Sequence, residues 1–213
     1  MGICLLILFL SILSFVKGAD VNTGAILGCK PQDLESGFTI KYYSYPLLAT
    51  GSNLPANTCW SKDYQTDDYL YHGGYETHGT GLLGTSKNVV NLTYSTPPQD
   101  NTGCTVYTGT MPPNYNYADQ ITYSNFTMLI YGYFKAPTTG SYKFVLNYVD
   151  DLIYMNLGAG NAFNCCQIAN SIASPGGYLL FAEWPLTTST SVSVDLVGGV
   201  YYAIRLLYVN RDI

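Results

Sequence analysis

From Ile121 onward the chain is a succession of short runs rich in β-branched and aromatic residues, each closed by a turn signal. Residues 127–134 lead into the turn Ala136-Pro137-Thr138-Thr139-Gly140, and residues 141–148 follow it. Then come residues 152–156, 178–184, 190–196 and 201–209, with Gly198-Gly199 marking the last turn. Runs of this composition read as strands, because branched and aromatic side chains suit a pleated, half-buried surface. The first two, on either side of a tight turn, read as a hairpin. Between Gly28 and Asp119 turn signals are denser (Lys30-Pro31, Gly51-Ser52-Asn53, Gly73-Gly74, Thr96-Pro97-Pro98, Met111-Pro112-Pro113), and short apolar runs at 38–45 and 89–94 lie among them. That half reads as short strands and long ordered loops. No window has the period of a long helix, a heptad or a solenoid repeat. The expected fold is all-β, a β-sandwich.

The chain opens on an apolar stretch from Ile3 to Phe15, followed by Val16-Lys17-Gly18-Ala19 with small residues where signal peptidase cuts. Residues 1–18 therefore read as a secretory signal peptide, although no Lys or Arg precedes the apolar stretch. Residues 19–213 form the mature part, read as one domain. The apolar stretch is short for a bilayer span, and no later segment reaches about 20 apolar residues, so no membrane span is expected. Charged residues make up 11% of the chain and the net charge is −5. With no Lys/Arg patch to neutralise phosphates, nucleic acid is not an expected partner.

Cys4 falls in the signal, which leaves Cys29, Cys59, Cys104, Cys165 and Cys166 in an oxidising compartment. The odd number means either a free thiol or a partner beyond Ile213, and the abrupt ending favours a domain truncated at its C-terminus. Adjacent Cys165 and Cys166 would form a tight, strained ring with each other, so each is expected to staple a different segment. Asn91-Leu92-Thr93 and Asn125-Phe126-Thr127 are N-glycosylation sequons, in keeping with export.

A catalytic reading finds little support. His72 and His78 lie in a Gly-rich stretch and read as exposed loop histidines rather than metal ligands. No nucleophile elbow, Walker loop or dinucleotide fingerprint is present. The sharper candidate is Asp150-Asp151, set between a strong strand and the apolar run Leu152-Ile153-Tyr154-Met155. Two carboxylates between strands are costly unless something compensates their charge. Ca²⁺ would do so, as a hard cation taking six to eight oxygens. A solvated turn, as at Asp67-Asp68, is the alternative reading of the same residues.

The stretch Tyr148-Val149-Asp150-Asp151-Leu152-Ile153-Tyr154-Met155-Asn156-Leu157-Gly158-Ala159-Gly160-Asn161-Ala162-Phe163-Asn164-Cys165-Cys166 resembles the signature of yeast flocculins and, more closely, of epithelial adhesins. The resemblance extends through Leu27-Gly28-Cys29, Thr58-Cys59-Trp60, residues 125–134 and residues 199–208, and covers nearly all of the mature chain. It implies a lectin version of the anthrax protective-antigen β-sandwich, with long disulfide-stapled loops. It further implies a cis peptide between Asp150 and Asp151 that turns both carboxylates onto one Ca²⁺. Asn210, and carbonyls from about Asp212 onward, would complete the ligands, and Trp184 would stack on the sugar. Arg211 and Asp212 match the variable loop that reads the rest of the glycan. The family's cysteine pattern implies Cys59 with Cys104, and sends Cys29 and a later cysteine to Cys165 and Cys166.

The function that follows from the resemblance is a secreted cell-wall adhesin, not an enzyme. It would bind terminal sugars, galactose first, on host or neighbouring cells, as a monomeric head acting in many copies. The alternatives are a secreted carbohydrate-processing enzyme on the same sandwich and a structural wall protein without a ligand. The first is disfavoured because neighbouring residues Asp150 and Asp151 could not flank a glycosidic bond at roughly 5 to 10 Å.

Overall fold

The computed structural model describes residues 25–31, 34–45, 74–77, 81–93, 107–122, 125–147, 149, 151–165, 178–183 and 190–210. The signal segment 1–18, His72, His78 and Asp67-Asp68 lie outside them.

The described residues form an all-β fold. Its strands are β1 (Phe38–Ser44), β2 (Leu82–Val89), β3 (Thr108–Thr110), β4 (Gln120–Thr122), β5 (Phe126–Lys135), β6 (Gly140–Leu146), β7 (Leu152–Leu157), β8 (Leu180–Glu183), β9 (Thr190–Leu196) and β10 (Tyr201–Asn210). A single helical turn, α1 (Gly74–Thr77), and a 3-10 turn at Pro113–Tyr115 interrupt them. No helix among the described residues is long and apolar enough to cross a membrane.

The main sheet has the order β2-β1-β5-β10-β7-β8, and every pairing in it is antiparallel. A second sheet of β6 and β9 packs against one of its faces, and β3 and β4 form a small ribbon. Strand periodicity sorts β10 cleanly. Tyr202, Ile204, Leu206 and Tyr208 face the sandwich core, where Tyr142, Phe144, Leu146, Val192, Val194 and Leu196 meet them from the second sheet. Ala203, Leu207 and Val209 point to the other face, which Tyr75 of α1, Ala162 and Phe163 cover. Because both of its faces are buried, β10 reads as a nearly continuous apolar run rather than an alternating one.

The expected hairpin between residues 127–134 and 141–148 does not form. β5 pairs with β1 and β10, whereas β6 pairs with β9 in the opposite sheet. The turn at 136–140 carries the chain from one layer to the other, and Phe134 meets Tyr142 and Phe144 edge-on across the core, at centroid distances of 5.4 and 5.7 Å. Aromatic residues on both sides of the turn thus serve facing layers, not cross-strand pairs. The Gly198-Gly199 turn makes the reverse crossing, from β9 to β10. The two corners lock together: Gly198 N–H donates to Thr139 Oγ1 at 2.9 Å and Gly199 N–H to the Ala136 carbonyl at 2.7 Å. The approach is so close that a Cβ on Gly198 would stand 2.7 Å from the Thr139 backbone nitrogen.

In the apolar run at 89–94 residues 90–93 are not strand, and Tyr94 lies outside the described residues. The strand is β2, and it ends at Val89. A disulfide joins Cys29 to Cys165, with Cα atoms 5.4 Å apart and a sequence separation of 136. It fastens the N-terminal segment to the loop after β7, where Ala159 N–H also donates to the Leu27 carbonyl at 2.8 Å. This is one of the two partners the family pattern offers Cys29; Cys59, Cys104 and Cys166 lie outside the described residues.

Candidate functional site

The ladder between β7 and β10 runs to the pair Leu152↔Val209. The next residue on each strand is Asp151 on one and Asn210 on the other, so a carboxylate and a carboxamide arrive at the same end of two neighbouring strands. By strand parity Asn210 points to the face that carries the sandwich core. Both are buried: Asp151 is 5% exposed and Asn210 4%. On its other side Asn210 pairs with Phe126 at the start of β5, and the Phe126 ring lies 5.6 Å from that of Tyr208. The Tyr208 hydroxyl donates to Asn210 Oδ1 at 3.3 Å, which fixes the rotation of the amide.

Asp151 has φ 61°, in the left-handed region. Aspartate is among the few non-glycine residues that visit it, and a strained residue in a polar position is a mark of a functional site. The donor set is oxygen only, which suits a hard cation such as Ca²⁺ and not a transition metal. Among the described residues no group of three or more His, Cys, Asp or Glu gathers, at Asp151 or elsewhere. Of the other residues singled out in sequence, Asp150, Trp184, Arg211 and Asp212 lie outside the described residues, and with Asp150 the peptide bond joining it to Asp151.

A second polar constellation went unread in the sequence. Arg205, mid-way along β10, is 2% exposed on the outer face of the main sheet. Its Nη1 donates to the Tyr154 hydroxyl and to Asn156 Oδ1, both at 3.2 Å, and its Nη2 to the Tyr75 hydroxyl at 3.3 Å. The guanidinium also stands 5.5 Å from the centre of the Tyr154 ring. Nε has no hydrogen-bond partner among the described residues. Asn156 is opposite Arg205 in the register and Tyr154 is two residues away on the same face, so β7 presents both acceptors by its period alone. Tyr75 comes from α1, and its bond to Arg205 pins that turn to the sheet. In the sequence Arg205 stands alone in an apolar strand, and only the burial of both faces shows that it must find its partners inside.

Residues 126–213, from the start of β5 onward, match the GLEYA domain family. Over 95% of its length the chain is 25% identical to flocculation protein FLO1 of Saccharomyces cerevisiae, and it spans 14% of that protein. Among solved structures it is similar to the A domain of epithelial adhesin 9 from Candida glabrata, determined in complex with Galβ1-4GlcNAc. The identity there is 36% and the TM-score 0.73, covering 87% of this chain and 80% of that one. It is also similar to the A domain of epithelial adhesin 6 from the same organism, in complex with Galβ1-3GlcNAc: 39% identity, TM-score 0.72, 88% of this chain and 80% of that one. Identity of this order across almost the whole of both domains, on the same fold, carries the assignment: this chain belongs to the yeast family of epithelial adhesin A domains and flocculins.

Proposed function

We propose that this domain is a Ca²⁺-dependent lectin that binds terminal galactose-type sugars on host or neighbouring cells, without cleaving them, and so attaches one cell surface to another. The observation that carries the reading is the meeting of Asp151 and Asn210, two buried oxygen donors, at adjacent strand ends. The similar adhesin A domains solved with galactose-containing disaccharides support the ligand class. A bound calcium ion would offset the buried carboxylate charge and offer open coordination positions to vicinal sugar hydroxyls. Asp151 and Asn210 would hold it, with Asp150 and Asp212 as further ligands. Trp184 would cover the apolar face of the sugar, and Arg211 and Asp212 would bond its remaining hydroxyls. The Cys29–Cys165 disulfide agrees with an extracellular working place. A single head of this kind binds weakly, so firm adhesion follows from many copies at one surface.

A glycan array probed with and without a calcium chelator tests the reading, beside a hydrolysis assay on the sugars retained. Galactose-terminated glycans should be held only when Ca²⁺ is present, and Asp151→Asn should release them. Undiminished binding in chelator and in the variant would sink the proposal, and cleavage of a bound sugar would move it to the enzyme class.

A further inference from the structure

The two N-glycosylation sequons meet opposite fates in the fold. Asn91-Leu92-Thr93 follows β2, with Asn91 and Thr93 exposed. Its backbone is held, while its amide nitrogen has no hydrogen-bond partner among the described residues. The Asn91 carbonyl accepts from Asn114 Nδ2 and the Leu92 carbonyl from the Tyr115 hydroxyl, both at 2.8 Å. Asn91 Oδ1 accepts from the Thr93 N–H at 2.9 Å, a turn made by an exposed side chain. Beside it Val90 is 79% exposed, an apolar side chain that a carbohydrate at Asn91 would shield.

Asn125-Phe126-Thr127 is the reverse case, since Asn125 is 8% exposed and Phe126 and Thr127 are fully buried. Asn125 Nδ2, the atom a glycan would be joined to, donates to the Tyr45 carbonyl. The Asn125 carbonyl accepts from Thr122 Oγ1 at 2.7 Å and from Tyr45 N–H at 3.4 Å. A sugar on Nδ2 would have to fit between this buried amide and the Tyr45 backbone it is bonded to, where the fold leaves Asn125 only 8% exposed.

The strand directions give this difference a location. β1 pairs Ser44 with Phe126, and Phe126 pairs with Asn210, so Asn125 lies at the end of the sheet that holds Asn210 and Asp151. At the opposite end β1 pairs Phe38 with Val89, and Asn91 comes two residues later.

We infer that Asn91 is the N-glycan acceptor of this domain, at the end of the sheet away from Asp151 and Asn210, and that the folded protein carries no glycan on Asn125, whose buried amide clasps the end of β1. In the transfer, Asn91 Nδ2 forms a bond to C1 of an oligosaccharide carried on a lipid diphosphate. The C1–O bond to the diphosphate breaks, the lipid diphosphate leaves and one amide proton is released. The assignment is independent of what the Asp151 end binds.

Secretion of the full chain from a yeast host, followed by peptide mapping of the folded, soluble fraction, decides it. Asn91 should carry the glycan and Asn125 none. Thr93→Val and Asn91→Gln should each remove the whole glycan mass, whereas Asn125→Gln should keep it while lowering the melting temperature. A glycan found on Asn125 in the folded protein, or a bare Asn91 in the secreted wild type, overturns the inference.

Discussion

Asp151 and Asn210 stand side by side at the ends of two antiparallel strands, each more than nine-tenths buried. A carboxylate in such a place is costly without compensation, so the pair should respond to a cation as a unit. Calcium should raise the melting temperature of the wild type and leave that of Asn210→Ala unchanged. In a sugar-binding titration Asp151→Asn and Asn210→Ala should each weaken affinity by ~100-fold, equivalent to about 3 kcal/mol. Equal calcium shifts in wild type and variants would remove both residues from the ligand set.

Tyr75→Phe should destabilise the fold by about 1–3 kcal/mol in urea unfolding, because it leaves a buried guanidinium N–H unsatisfied. The penalty belongs to the pair with Arg205, so it should shrink in an Arg205→Met background, where no donor remains to be stranded. An equal cost in both backgrounds would mean that Tyr75 acts by packing alone.

Alkaline pH should weaken the fold. Burial pushes the Tyr42, Tyr75 and Tyr133 hydroxyls up to about 12, and it raises Tyr43 and Tyr115 further. At Tyr75 the neighbouring Arg205 opposes part of the rise. A proton held more tightly in the folded than in the unfolded chain stabilises fully below pH 10, and that contribution falls away as pH rises through 12. Urea midpoints should therefore be level below pH 10 and decline between 10 and 12. Tyrosinate absorbance should show the buried group appearing only with unfolding.

At the locked corners, Gly198→Ala should cost at least 2 kcal/mol, since the added methyl meets Thr138 and Thr139 backbone atoms at 2.7–2.9 Å. Gly140→Ala, at the start of β6 with nothing within 4 Å of the new atom, should change stability by about 0.5 kcal/mol or less. Thermal melts of the two variants make the comparison.

What the sequence showed followed from how strongly each strand is tied to a period. β1, β7, β9 and β10 are runs of branched and aromatic residues, and their positions were legible within a few residues. β2 was missed because Leu82-Leu83-Gly84-Thr85-Ser86-Lys87-Asn88-Val89 is a sheet edge with few inward side chains, so its composition reads as a loop. The β5–β6 hairpin was misread because a short turn after an aromatic strand looks the same whether the chain returns beside itself or crosses to the facing sheet. Asp151 stood out because acidic residues before an apolar run are unusual, and Asn210 through the family resemblance. Arg205 was passed over, since nothing local tells a rim arginine from a buried one.

The position of β10 also shapes how the protein is born. It lies at the centre of the main sheet yet is the last of the described strands to leave the ribosome, and its partners β5 and β7 begin at Phe126 and Leu152. Until it arrives, two strands have edges with no neighbour between them, and the aromatic residues of both faces are uncovered. Such long-range closure is slow and exposes aggregation-prone surface. The nascent domain therefore remains an incomplete sheet, with that surface uncovered, until β10 slots in between β5 and β7.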